Sequence, residues 1–115
     1  MTREQAVLDG VTRVPGVRSA LLVGAQDGLI VAESSLEGQN GEAVAALAGR
    51  LAQRLGGLTS ALSQPPPSLF LLQCSRGQVF VAFGGEDLLL VAVTGSGINI
   101  GQVRLALLDA AGQLN

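Results

Sequence analysis

The stretch from Glu42 to Leu62 carries the longest hydrophobic periodicity in the chain and limits what the rest can do. Val44, Leu47, Ala48, Leu51, Leu55, Leu58 and Leu62 follow spacings of three and four. At about 100° per residue they form one narrow stripe of a helix. Burying such side chains fully is worth roughly 1.5–3 kcal/mol each, although ordering the chain offsets most of that gain. The leucine stripe is therefore expected to face a sheet.

A second stripe runs beside it. Ala45, Gly49, Ala52 and Gly56 have no side chain larger than a methyl group. Glycine inside a helix costs about 0.8–1 kcal/mol relative to alanine, so two on one face ask for a reason. Close approach of another backbone is that reason, and a partner helix is the expected neighbour. Gly56-Gly57 could instead cap the helix, but Leu58 and Leu62 stay in phase and favour continuation. Arg50, Gln53, Arg54 and Ser60 occupy the polar face.

Shorter elements flank this helix. Thr2 to Arg13 reads as a first helix, with Thr2 and Gln5 as a capping box and Val14-Pro15 as its stop. Val17–Val23 and Leu29–Ser34 read as strands joined by Gln26-Asp27-Gly28, where Asp and Gly tolerate positive φ. Glu37-Gly38-Gln39-Asn40-Gly41 is a polar loop in which Asn40 can cap the long helix. Pro65-Pro66-Pro67 forces an extended connector. Ser68–Cys74, Gln78–Phe83 and Leu88–Thr94 then form a meander with tight turns. After Gly95-Ser96-Gly97, Asn99–Gly112 is a closing helix. Leu69–Leu72 and Leu88–Val93 are apolar on both faces, so the sheet needs cover on both sides. The expectation is an α/β (α+β) single domain over residues 1–115, an α/β/α sandwich of order αββαβββα. Its long helix lies on one face and its two terminal helices on the other.

Composition narrows the function. Hydrophobic residues make up 48% of the chain and charged residues 14%, which argues against disorder. A net charge of −2 supplies no footprint for nucleic acid and no polybasic patch for a membrane. The lone Cys74 excludes an internal disulfide and a cysteine-based zinc cage. Met1–Gly10 carries charges where a signal peptide would be apolar, and no run reaches the roughly 18 apolar residues of a membrane span. A soluble, cytoplasmic protein is expected.

Val14-Pro15-Gly16-Val17, Ala20-Leu21-Leu22-Val23 and Asp27-Gly28-Leu29-Ile30-Val31-Ala32 resemble the opening of a Roadblock (dynein light chain) domain. Ile100-Gly101-Gln102-Val103-Arg104 resembles that family's ending. The resemblance covers nearly the whole chain and includes the order of elements. It implies a five-stranded antiparallel sheet between helical layers, and a dimer in which central helices pair and the third strand joins across the interface. It also implies a small Ras-like GTPase as partner. The bacterial gliding-motility members, of the MglB type, promote GTP hydrolysis by such a GTPase, while other members are scaffolds or motor light chains.

Candidate chemistry elsewhere has plainer explanations. Gly95-x-Gly97-x-x-x-Gly101 departs from the dinucleotide spacing, and no second βα unit follows it. Cys74 has no histidine to activate it. Asp27 and the Glu86-Asp87 pair fit turn chemistry. Arg104, near a helix start that disfavours cations, is expected to contact a carbonyl or carboxylate and to pack its helix. Arg50 and Arg54 could dock an acidic partner or serve as an arginine finger. The resemblance points away from a finger, since its GTPase-activating members work mainly by ordering the GTPase's own residues.

The expected dimer interface is Ala45, Gly49, Ala52, Gly56, Phe70 and Leu72. The expected GTPase-binding surface is Ala46, Arg50, Gln53 and Arg54. No catalytic residue, cofactor or metal is expected. A profilin-like or PAS-like small-molecule sensor is the alternative.

Overall fold

The structure is a computed structural model that describes residues 2–35, 40–85 and 87–114. Most of the expected polar loop before the long helix lies outside those residues, as does Glu86.

Local signals set the helix ends. Helix α1 (Arg3–Thr12) starts at Thr2, whose hydroxyl accepts the Gln5 amide at 3.1 Å. The other half of the expected capping box does not form among the described residues, and the Gln5 side chain instead points its Nε2 at Asp9 Oδ1 and the Glu33 carbonyl. Asn40 caps α2 (Gly41–Ala61) through the Ala43 amide at 3.2 Å. Asn99 caps α3 (Ile100–Gln113) through the Gln102 amide at 3.0 Å. Helix α2 runs through Gly56-Gly57 and ends in a Schellman motif. There the Gln64 amide donates to the Thr59 carbonyl and the Ser63 amide to the Ser60 carbonyl, with Ser63 at φ +57°.

The strands are β1 (Val17–Gly24), β2 (Ile30–Ser35), β3 (Leu69–Cys74), β4 (Gly77–Gly84) and β5 (Leu88–Gly95). They form one antiparallel sheet in the order β2-β1-β5-β4-β3, which leaves β2 and β3 at the edges. A bulge at Val31 interrupts the β1–β2 pairing, and such a kink blunts an edge strand. Edge β3 pairs in unbroken register with β4.

Strand alternation sorts the core into two layers. On one face Leu22, Phe80 and Leu90 pack against Leu8 of α1 and Leu107 of α3, all essentially inaccessible to solvent. On the other, Leu21, Val23, Val81, Leu89 and Val91 meet Ala45, Ala48 and Ala52 of α2. The sandwich is as expected, with the terminal helices on one face and the long helix on the other.

The orientation of α2 reverses the expectation from its two stripes. Ala45 and Ala52 of the small stripe are buried on the sheet and Gly49 against the β1–β2 turn, whereas Leu47, Leu58 and Leu62 of the leucine stripe are 61%, 54% and 62% exposed. Only Ala48 of that stripe is fully buried, with Val44, Leu51 and Leu55 half-buried.

Candidate functional site

The β1–β2 turn explains the reversal. Its Asp27 side chain accepts the Leu29 amide at 3.0 Å, and Gly28 takes φ +67°. This lifts the turn's backbone against α2. A Cβ on Gly49 would stand 3.3 Å from Gly28 Cα, and one on Gly28 would stand 3.1 Å from Ala46 Cα. A leucine cannot enter that gap. The small stripe therefore does serve close backbone approach, but the backbone belongs to the chain's own hairpin.

Gln53 pins the arrangement. Its Nε2 donates to the carbonyls of Ala25 at 3.4 Å and Gln26 at 3.3 Å. The Ala25 amide in turn donates to the Asp87 carbonyl, and Gln26 Nε2 to Asp87 Oδ1. Helix α2, the β1–β2 turn and the β4–β5 turn are thereby tied at one end of the sheet.

With its small face spent on the sheet, α2 keeps two flanks of different chemistry. Its leucine flank overhangs the β3–β4 half of the sheet. The hollow there, about 200 Å³, is lined by apolar side chains including Leu47, Leu51, Phe70, Leu72 and Val79. Leu72 is 45% exposed, and half-buried Phe70 lies 6.1 Å from Phe83 in a tilted ring pair. The arginine flank faces the β1–β2 turn across a cleft of about 310 Å³, lined by Gln26, Asp27, Gly28, Ala46, Arg50 and Gln53 among others.

The expected dimer contacts are redistributed accordingly. Ala45, Gly49 and Ala52 touch the chain's own sheet and turn, which removes them from a surface open to a partner helix. Gly56 is half-buried, with open space where a side chain would stand. Phe70 and Leu72 line the apolar hollow. Leu47 joins them there, a residue the stripe argument had assigned to the sheet. The signal that could have found it was the pairing of Gly49 with the turn glycine Gly28. Among the expected partner-binding residues, Ala46, Arg50, Gln53 and Arg54 are all exposed. The amide nitrogen of Gln53 is already committed to the turn.

Other candidates take structural places. Asp27 serves the hairpin. Cys74 is an exposed thiol at the end of β3. The Gly95-Gly97 turn leads into an α3 N-terminus that Asn99 already caps. Arg104 is exposed and makes no hydrogen bond or ion pair among the described residues, contrary to its expected packing role. No three His, Cys, Asp or Glu side chains converge as metal ligands among the described residues, and no helix there is long and apolar enough to cross a membrane.

The family model of the Roadblock/LC7 domain matches residues 4–94. Among solved structures, Myxococcus xanthus MglB is similar at 19% identity over 99% of this chain and 93% of that one, with a TM-score of 0.91. The gliding protein MglB from Thermus thermophilus shares 24% identity over 99% of this chain and 90% of that one, with a TM-score of 0.88. An MglB described with a tetrameric arrangement shares 27% identity over 97% and 85%, with a TM-score of 0.89. No curated protein matches the sequence.

Proposed function

The chain belongs to the Roadblock/LC7 domain family, and on that footing we propose that it is a non-enzymatic, homodimeric regulator or scaffold of a small Ras-like GTPase. The observation that carries the reading is the division of labour on α2, with an apolar flank and a cationic flank separated by the helix itself.

The apolar flank suits a second copy. Helix α2 covers the β1, β2 and β5 side of its sheet and leaves apolar side chains of β3 and β4 open beside Leu47. A two-fold partner would bring its own α2 over that half and receive the same cover in return, which is the self-complementarity of an isologous interface. Edge strand β3 carries no lysine or proline to discourage pairing. A ligand-sensing domain would instead need polar groups converging on the hollow, and its lining is aliphatic and aromatic.

The cationic flank suits the GTPase. Arg50 and Arg54 lie one turn apart, exposed, and form no ion pair among the described residues. Arg is enriched at interface hot spots, and its charge raises the association rate with an acidic surface. Replacing both, Arg50→Glu with Arg54→Glu, should abolish binding of the source organism's Ras-like GTPase loaded with a GTP analogue, while sedimentation still reports a dimer. Undiminished affinity in calorimetric titration would move the docking surface to the α1–α3 side and overturn this reading.

A further inference from the structure

The cleft on the arginine flank has two walls, and only one of them belongs to α2. Gln26, Asp27 and Gly28 of the β1–β2 turn form the other. The floor between them is Gly28, Ala46 and Gly49, where no side chain exceeds a methyl group, so an incoming chain can approach the backbone closely. A neighbouring hollow of about 420 Å³ shares Gln26 and Gln53 as walls and extends the depression toward Phe83.

The two walls carry opposite charge. Arg50 stands on the helix side and Asp27 on the turn side, and no ion pair joins them among the described residues. The hydrogen bond from the Leu29 amide occupies Asp27 Oδ1, and Oδ2 remains able to accept from an incoming cation. The turn itself is held from behind. Gln53 grips its carbonyls, and Asp87 holds both the Ala25 amide and the Gln26 side chain. A turn backbone fixed this way presents Asp27 on a preorganised wall facing the Arg50 side of the cleft.

We propose that the β1–β2 turn is the second half of the partner-docking surface, and that its occupant is a segment of the GTPase carrying paired charges, a carboxylate against Arg50 and a cation against Asp27. Gln53 is then a positioning residue for the turn. This rests on the GTPase reading above and adds to it the turn and the charge pattern of the partner.

The test compares wild type with Arg50→Gln, Asp27→Asn and Asp27→Lys in titrations against the same GTPase, loaded with a GTP analogue at low salt. Asparagine keeps the turn's hydrogen bond to the Leu29 amide and removes only the charge. Circular dichroism and sedimentation confirm that each variant keeps its fold and its oligomeric state. Arg50→Gln should weaken binding about 10-fold, Asp27→Asn about 3-fold and Asp27→Lys by more than either. The Asp27 effects should shrink as salt rises. If Arg50→Gln weakens binding and both Asp27 variants bind like wild type, or tighter, the turn is no part of the surface and the inference fails while the function stands. If wild type itself does not bind the GTPase, the functional reading falls and the inference with it.

Discussion

The two faces of the sheet are built on opposite plans. On the α1–α3 face the helices bring large side chains to the sheet alongside the alanines of α3, and Leu8, Phe80 and Leu107 are wholly buried. The chain closes that face by itself. On the α2 face the helix contributes mainly methyl groups and a glycine with Val44 beside them, while Leu47, Leu58 and Leu62 are exposed and Leu51 and Leu55 are only half-buried. The first plan puts hydrophobic area into folding. The second seats a helix on the sheet through small residues and leaves hydrophobic area exposed. The difference shows that helical amphipathicity locates the apolar stripe without saying whose surface will cover it.

Breaking the closed face should have the largest effect. Phe80→Ala removes a fully buried ring of β4 from the layer that the terminal helices cover. It should cost about 3–5 kcal/mol in denaturant-induced unfolding. A loss under about 1 kcal/mol would mean that this face is less closed than its burial implies.

The open face should respond differently. Leu47→Asp with Leu72→Asp places charge on the apolar hollow without touching the buried layer. Dimer dissociation should rise about 100-fold, in keeping with the cost of burying unpaired charge at an interface, while intrinsic viscosity and circular dichroism report an unchanged protomer fold. A dimer of undiminished strength in sedimentation equilibrium would place the interface elsewhere.

Gly49→Leu probes the seam between the two plans. Its side chain would meet Gly28 Cα, so α2 must lift from the turn. Overpacking of this kind costs about 1–3 kcal/mol. The loss should appear as reduced stability of the protomer at all protein concentrations. A loss that vanishes on dilution would return Gly49 to the dimer interface and reinstate the small stripe as a partner contact.

Much of the fold was legible because its signals are local. Thr2, Asn40 and Asn99 cap their helices from adjacent residues. Asp27 and Gly28 build the hairpin from their own backbone preferences. The apolar runs of β3 and β5 called for cover on both faces of the sheet, and core clusters with helices do lie on both. The resemblance to Roadblock domains rested on the same short-range patterns spread over the chain. The α2 residues of the candidate site were partly legible. The solvent exposure of Arg50 and Arg54 follows from a period, which the chain displays directly.

What the sequence by itself determined is which residues share a stripe, where each element starts and stops, and that the sheet needed cover on both faces. Which of two adjacent stripes of α2 meets the sheet was decided only in the tertiary structure. Transfer free energy favours burying the leucines, since it scales with apolar area. Close packing overrides it here, because the β1–β2 turn rises to within contact of Gly49 and admits no larger side chain. That distance depends on a turn some twenty residues earlier in the chain and on the Gln53 and Asp87 ties that hold it. No periodicity within α2 encodes it.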